Sequence, residues 1–134
     1  MIKTVDEFIT LRQSDNADEQ YRASHDNADI SVWIEIIKNY SDFKSWVIHN
    51  KTIPIEILEI LSADPDPLIR SEVARKRKIN DKVFDLLSVD PDENVRYALM
   101  CNTKLTIDKK RTIKMGDSIW LTKHFSEIIK NDNK

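Results

Sequence analysis

A chain of 134 residues can bury one hydrophobic core and is too short for several domains. One third of its residues are charged, the net charge is −2 and Gly116 is the only glycine, which argues against a sheet fold built on tight glycine turns and for an all-α chain. Cys101 is alone, so no intramolecular disulfide can form; Met1-Ile2-Lys3-Thr4 opens no apolar leader, and no apolar run nears the roughly 20 residues that span a bilayer, so a cytoplasmic protein without membrane attachment is expected.

In chain order, Thr4-Val5-Asp6-Glu7 has capping-box spacing and predicts a first helix with Phe8, Ile9 and Leu11 on its apolar side. Ser14-Asp15-Asn16 breaks it and caps a short helix from Ala17 to about Ser24. Asp29 caps a third helix, Ile30 to Tyr40, and the turn at Tyr40-Ser41-Asp42 leads into Phe43–Ile48. From Ile53 the pattern becomes periodic. Ile53, Leu61, Ser62, Asp64, Pro65, Asp66 and Arg70 recur at a constant offset as Ile79, Leu87, Ser88, Asp90, Pro91, Asp92 and Arg96, and one apolar residue replaces another at 57, 58, 60, 63, 69, 73 and 74. Each copy is an apolar stripe, a turn and a shorter stripe, the mark of a stacked helical pair. Weaker copies flank these two. Trp33, Ile34, Ile36 and Ile37 mirror Ile57, Leu58, Ile60 and Leu61 at a slightly shorter offset, and Leu105 falls at the Ile53/Ile79 position. A lysine-rich helix from about Thr106 to Lys114 follows; Met115-Gly116 ends it, and Asp117 or Ser118 caps a last helix to about Asn131 with the stripe Ile119, Trp120, Phe125, Ile128 and Ile129.

The stretch Lys51-Thr-Ile-Pro-Ile-Glu-Ile-Leu-Glu-Ile-Leu-Ser-Ala-Asp-Pro-Asp-Pro-Leu-Ile-Arg-Ser-Glu-Val-Ala74 resembles the bacterial variant leucine-rich repeat and the related HEAT-like repeats. Asn50, Thr52, Pro54, Leu58, Leu61, Asp64, Asp66, Arg70, Val73 and Ala74 match that pattern, and the second copy departs from it at Lys76, Lys78 and Asn80. The resemblance implies a right-handed α-α superhelix of short helix pairs, and no single activity. The expected organisation is one helical-repeat domain over 1–134: degenerate repeats at 4–50, clear repeats at 51–76 and 77–102, and a C-terminal repeat with its capping helix at 103–131. One type of variant-repeat protein carries a cysteine-ligated iron–sulfur cluster; Cys101 alone cannot supply the thiolates for one.

The charge is unevenly spread. Residues 1–67 hold six basic and thirteen acidic side chains, and residues 68–134 hold fifteen basic and ten acidic. Asp64-Pro65-Asp66 and Asp90-Pro91-Asp92 could bind a divalent cation, but aspartate and proline are also what a turn before a new helix requires, with Arg70 and Arg96 bridging neighbouring copies. The capping reading accounts for both pairs without a metal. Arg75-Lys76-Arg77-Lys78 is the densest basic run; with Lys51, Lys104, Lys109, Lys110, Arg111 and Lys114 it could line an edge that contacts phosphates. Trp33, Trp46 and Phe84 lie on apolar faces and read as core, and Tyr97, in place of Ser71, as an exposed aromatic. His25, His49 and His124 lack metal-ligand spacing, and no glycine-rich phosphate loop or nucleophile elbow exists. No catalytic residue, metal or cofactor is therefore assigned. The expected function is non-enzymatic binding of another protein, as a scaffold or an immunity or antitoxin-like binder, with Arg75, Lys76, Arg77, Lys78, Tyr97, Lys110 and Arg111 as candidate contacts. The alternative is a nucleic-acid binder that uses the basic edge.

Overall fold

A computed structural model describes residues 1–132, and in it every regular element is a helix apart from one parallel bridge between Ile2 and Ala28. The chain divides into two compact units, Met1–Leu58 and Glu59–Lys134. No helix among the described residues is long and apolar enough to cross a membrane.

The first unit holds α1 (Val5–Gln13), α2 (Ala17–His25), α3 (Ile30–Asn39) and, after a 3₁₀ turn at Ser41–Phe43, α4 (Lys44–His49). Each of the first three starts where an oxygen-bearing side chain can take up orphan amides: Thr4 Oγ1 accepts from Glu7, Asn16 Oδ1 from Asp18 and Glu19, and Asp29 Oδ1 from Ser31. Such caps are worth about 1 kcal/mol each. Helix α1 packs on α2 and α3, and α4 on α3 and α2. Phe8 and Trp33, both wholly buried, meet edge to face at 5.4 Å, and Ile2, Val5, Leu11, Ile36, Val47 and Ile48 are among the residues that share the core with them. Asn50 fastens the unit from inside. Its Nδ2 donates to the carbonyls of Ala23 and Asp26 at 2.9 Å each, while Oδ1 accepts from the amide and hydroxyl of Thr52.

α5 (Ile55–Leu61) begins in the first unit and ends in the second, which continues with α6 (Pro67–Ala74), α7 (Asp81–Leu87), α8 (Glu93–Met100), the single turn α9 (Ile107–Lys110) and α10 (Ile119–Asp132). The sequence period holds for the elements: the same offset separates the starts of α5 and α7, of α6 and α8, and of α8 and α10. Helices α6, α8 and α10 pack in succession, and α7 packs on both α6 and α8. The Asp-Pro-Asp turns act as caps. Asp66 and Asp92 accept from Leu68 and Asn94 at the helix starts, while Asp64 and Asp90 accept from the amides of Asp66 and Asp92. Asn102, two periods after Asn50, repeats its clamp: Nδ2 donates to Ala74 and Lys76 carbonyls at 2.9 Å and Oδ1 accepts from Lys104.

Several expectations need correction. The Thr106–Lys114 helix is only Ile107–Lys110; beyond it, Thr112 and Ile113 donate to Lys109 and Lys110 carbonyls in tighter turns that bring Ile113 into the core. In the last helix Leu121 is buried, whereas Ile119 (86 % exposed) and Trp120 are exposed, because Leu121 stands in register with Ile69 and Val95. Positions 60 and 63 leave the core as well, with Ile60 and Ala63 exposed like their counterparts Leu86 and Val89. In α1, Val5 rather than Ile9 joins Phe8 and Leu11 in the core. Trp46 is 39 % exposed rather than core, lying under the Arg12 guanidinium at 3.6 Å.

Candidate binding groove

Three helices of the second unit build one concave surface. Asp66 and Pro67 start α6 so that Leu68, in its first turn, projects outward and stays 72 % exposed. One turn on come Ser71 and Glu72, then Arg75 at the C-terminal end. Helix α8 contributes Asn94 and Tyr97, and α10 contributes Trp120, itself 39 % exposed. These side chains line a groove of about 520 Å³. Leu68, Asn94 and Trp120 occupy the same position in successive copies of the repeat, so the stacking of α6, α8 and α10 aligns them.

The wall at the α10 end is aromatic. The Tyr97 and Trp120 rings lie 5.0 Å apart, and His124 packs on both, 5.2 Å from Tyr97 and 4.5 Å from Trp120. His124 is fixed by the contact of its Nδ1 with the Trp120 carbonyl oxygen at 2.8 Å. Interaction with the Cys101 thiol, one turn along from it, raises the Tyr97 phenol above its ordinary value. Opposite in character is Glu72, whose Oε2 is screened from solvent and has no hydrogen-bond partner.

Of the residues expected from sequence, the groove brings together Arg75 and Tyr97. Arg77 and Lys78 are exposed in the loop after α6, and Lys76 in that loop is half-buried. Lys110 is not at a surface edge: it holds the position of Leu58 and Phe84 in the repeat and is buried. Arg111 is exposed just after α9. Two lysines of the wider basic stripe are engaged elsewhere. Lys109 is paired with Asp81, and Lys114 belongs to the turn at the opposite helix ends, where its amide donates to the Ser88 carbonyl. Tyr97 is half-buried against Trp120 rather than projecting freely.

Leu68, Glu72 and Trp120 were not foreseen from sequence as groove residues. Extending the period through Gly116-Asp117-Ser118, the third copy of the Asp-Pro-Asp turn, would have put Trp120 in line with Leu68. Glu72 carries a different signal: its counterpart in the next copy is the fully buried Ala98, so the repeat does not call for a carboxylate there. Compared with protein-family models, curated proteins and solved structures, the chain has no match.

Proposed function

We propose that this chain is a non-enzymatic helical-repeat protein that binds another protein through the α6–α8–α10 groove. The observation that carries this reading is that exposed Leu68 and Trp120 and half-buried Tyr97 line one groove, since apolar and aromatic side chains in a groove are what protein partners bury. The regular recurrence of helix pairs supports a right-handed superhelix of the variant leucine-rich or HEAT-like kind, whose stacked second helices provide such a surface. Affinity capture from the native cell, with the wild type beside a Leu68→Asp/Trp120→Ala variant, tests it. A partner held by the wild type and lost by a variant with an unchanged urea midpoint supports the reading. A partner held equally by both overturns it.

A second reading draws on the exposure of Arg75, Arg77, Lys78 and Lys104. Asn102 ties the loops that carry them together through the Ala74 and Lys76 carbonyls and the Lys104 amide. This edge would contact nucleic-acid phosphates without reading sequence. Its signature is a gel shift that weakens with salt and is lost when Arg75 and Arg77 become Glu. No shift at low salt ends it.

A further inference from the structure

The groove holds an acid with one oxygen that no group among the described residues answers. Glu72 sits on α6 between Leu68 and Arg75, and its Oε2 is buried without a donor. Among the described residues no cation forms an ion pair with it, although Arg75 lies one turn away on the same helix and lines the same groove. Buried polar atoms are satisfied in the great majority of cases, and an exception that lines a groove is a place where a ligand can supply the missing partner. Stability gives no reason for the acid, because Ala98 fills the same position of the next copy as an ordinary buried residue.

The surroundings define the missing partner. The same groove is walled by Tyr97 and Trp120, whose rings stand 5.0 Å apart at 56° and so offer both a face and an edge. A carboxylate beside aromatic faces attracts a cation twice, through charge and through the ring quadrupoles. A planar guanidinium suits this arrangement better than an ammonium, because it can stack on a ring while its N–H groups bond to the acid. Leu68, 72 % exposed at the other end of the groove, would cover apolar stem or a neighbouring apolar side chain.

Resting on the reading of this groove as a protein-docking surface, we infer that the partner inserts an arginine side chain that pairs with Glu72 and packs on Tyr97 and Trp120. Seating it gives Oε2 its donor and desolvates the aromatic wall in the same event. Arg75, which lines the same groove, acts against further basic residues, so the recognised segment carries one arginine, held by Glu72, among apolar residues rather than a basic run.

The test uses the full chain labelled with ¹⁵N and three probes: acetyl-Leu-Arg-amide, its citrulline counterpart, which keeps the shape without the charge, and acetyl-Leu-Glu-amide. The Trp120 indole N–H, assigned with Trp120→Phe, and the Glu72 amide report on the groove. The arginine probe is expected to shift both saturably in the millimolar range, the citrulline probe about tenfold more weakly, and Glu72→Gln to erase that difference. The urea midpoint of Glu72→Gln, expected unchanged or raised, shows that the variant is folded. Equal response to arginine and citrulline, or an arginine preference that survives Glu72→Gln, overturns the inference. Saturation by the glutamate probe instead also overturns it while keeping the groove as a docking surface. No response to any probe removes the arginine site, and the capture experiment with Leu68→Asp/Trp120→Ala then decides the groove separately.

Discussion

Two successive steps of the second unit, one from the α5–α6 copy to the α7–α8 copy and the next from there to α9–α10, share a period and differ in how they are fastened. In the first step Arg70 reaches forward: Nε donates to Asp90 Oδ2 at 2.8 Å and a terminal nitrogen to Oδ1 at 3.2 Å, while the other terminal nitrogen donates to the Asp64 and Pro65 carbonyls. Glu59 accepts from Asn80 at 2.9 Å and from Lys82 at 3.4 Å, and Asn102 clamps the two trailing loops. In the second step the corresponding places hold other residues. Gly116 stands where Asp90 would be, Thr106 and Asp108 where Asn80 and Lys82 would be, and Ile128 where Asn102 would be. Arg96 therefore lies 7 % exposed with its Nε unpartnered, donating instead to the Lys114 carbonyl at 2.8 Å.

The lesson is that one residue at one register does different jobs according to what the next copy places in front of it. Arg70 joins two copies through a carboxylate; Arg96 holds a turn through a carbonyl. The second step keeps the Lys109–Asp81 ion pair but has no counterpart of the Arg70–Asp90 link, and packing takes that place: Leu121 in the core and the Tyr97–Trp120–His124 cluster, with Ser118 bonded both to Glu93 and to the Leu121 amide. The aromatic wall of the groove lies at the step where the Arg70–Asp90 kind of link has no counterpart.

The largest expected effect comes from removing the cation of the first step. Arg70→Met leaves Asp90, 5 % exposed, without its counter-charge and strips the Asp64 carbonyl of a donor, at about 3 kcal/mol. Arg96→Met strands no carboxylate, only the Lys114 carbonyl, and should cost about 1 kcal/mol. Urea unfolding of both variants checks the contrast; equal losses would mean that the two arginines play one role. Next is Asn102→Ala, which leaves the Ala74 and Lys76 carbonyls and the Lys104 amide without their side-chain partner, at about 2–3 kcal/mol by the same measurement.

Gly116→Ala probes the second step directly. Gly116 sits at φ +60°, and a Cβ there would come within 3.3 Å of an Arg96 guanidinium nitrogen. Left-handed backbone and crowding together predict a loss of about 1–2 kcal/mol. Combining it with Arg96→Met should recover the crowding part and leave the backbone part. If the double variant loses the full sum of the two, the glycine is present for its backbone alone.

Much of this was open to reading from residue types. Thr4, Asn16, Asp29, Asp66 and Asp92 cap the helices that their positions announced, because a short oxygen-bearing side chain ahead of an apolar stripe has few other uses. The period carried over to the elements for the same reason. What periodicity could not resolve was which edge of a stripe faces inward: Ile60 and Trp46 are as apolar as Ile57 and Val47, and only packing separates them. Lys110 failed in the opposite direction, since a lysine at a core position reads as surface until the register puts it in line with Leu58 and Phe84. The groove was half legible. Tyr97 and Arg75 stood out by type, whereas Glu72 looks like any solvated helix acid, and its orphaned oxygen is a fact of three-dimensional burial.

The smallest effect is set by pH and again separates the two steps. Glu59 accepts from Asn80 and Lys82, chiefly the Asn80 amide, and its carboxyl is held below the ordinary 4.5. A carboxyl whose folded pKa is depressed adds stability above its unfolded value, and that contribution disappears as pH falls through the folded one. The first step should thus loosen on acidification from about pH 4.5 downward, because protonation of Glu59 weakens its bonds to Asn80 and Lys82. Asp85, the counterpart of Glu59 in the second step, stands ahead of Thr106 and Asp108, and among the described residues no side chain donates to its carboxylate. Urea midpoints at neutral pH and on the acid side of 4.5 should converge in Glu59→Gln relative to the wild type, and change little in Asp85→Asn. A wild-type acid loss that Asp85→Asn removes and Glu59→Gln leaves in place would reverse the assignment of which step is held by its polar links.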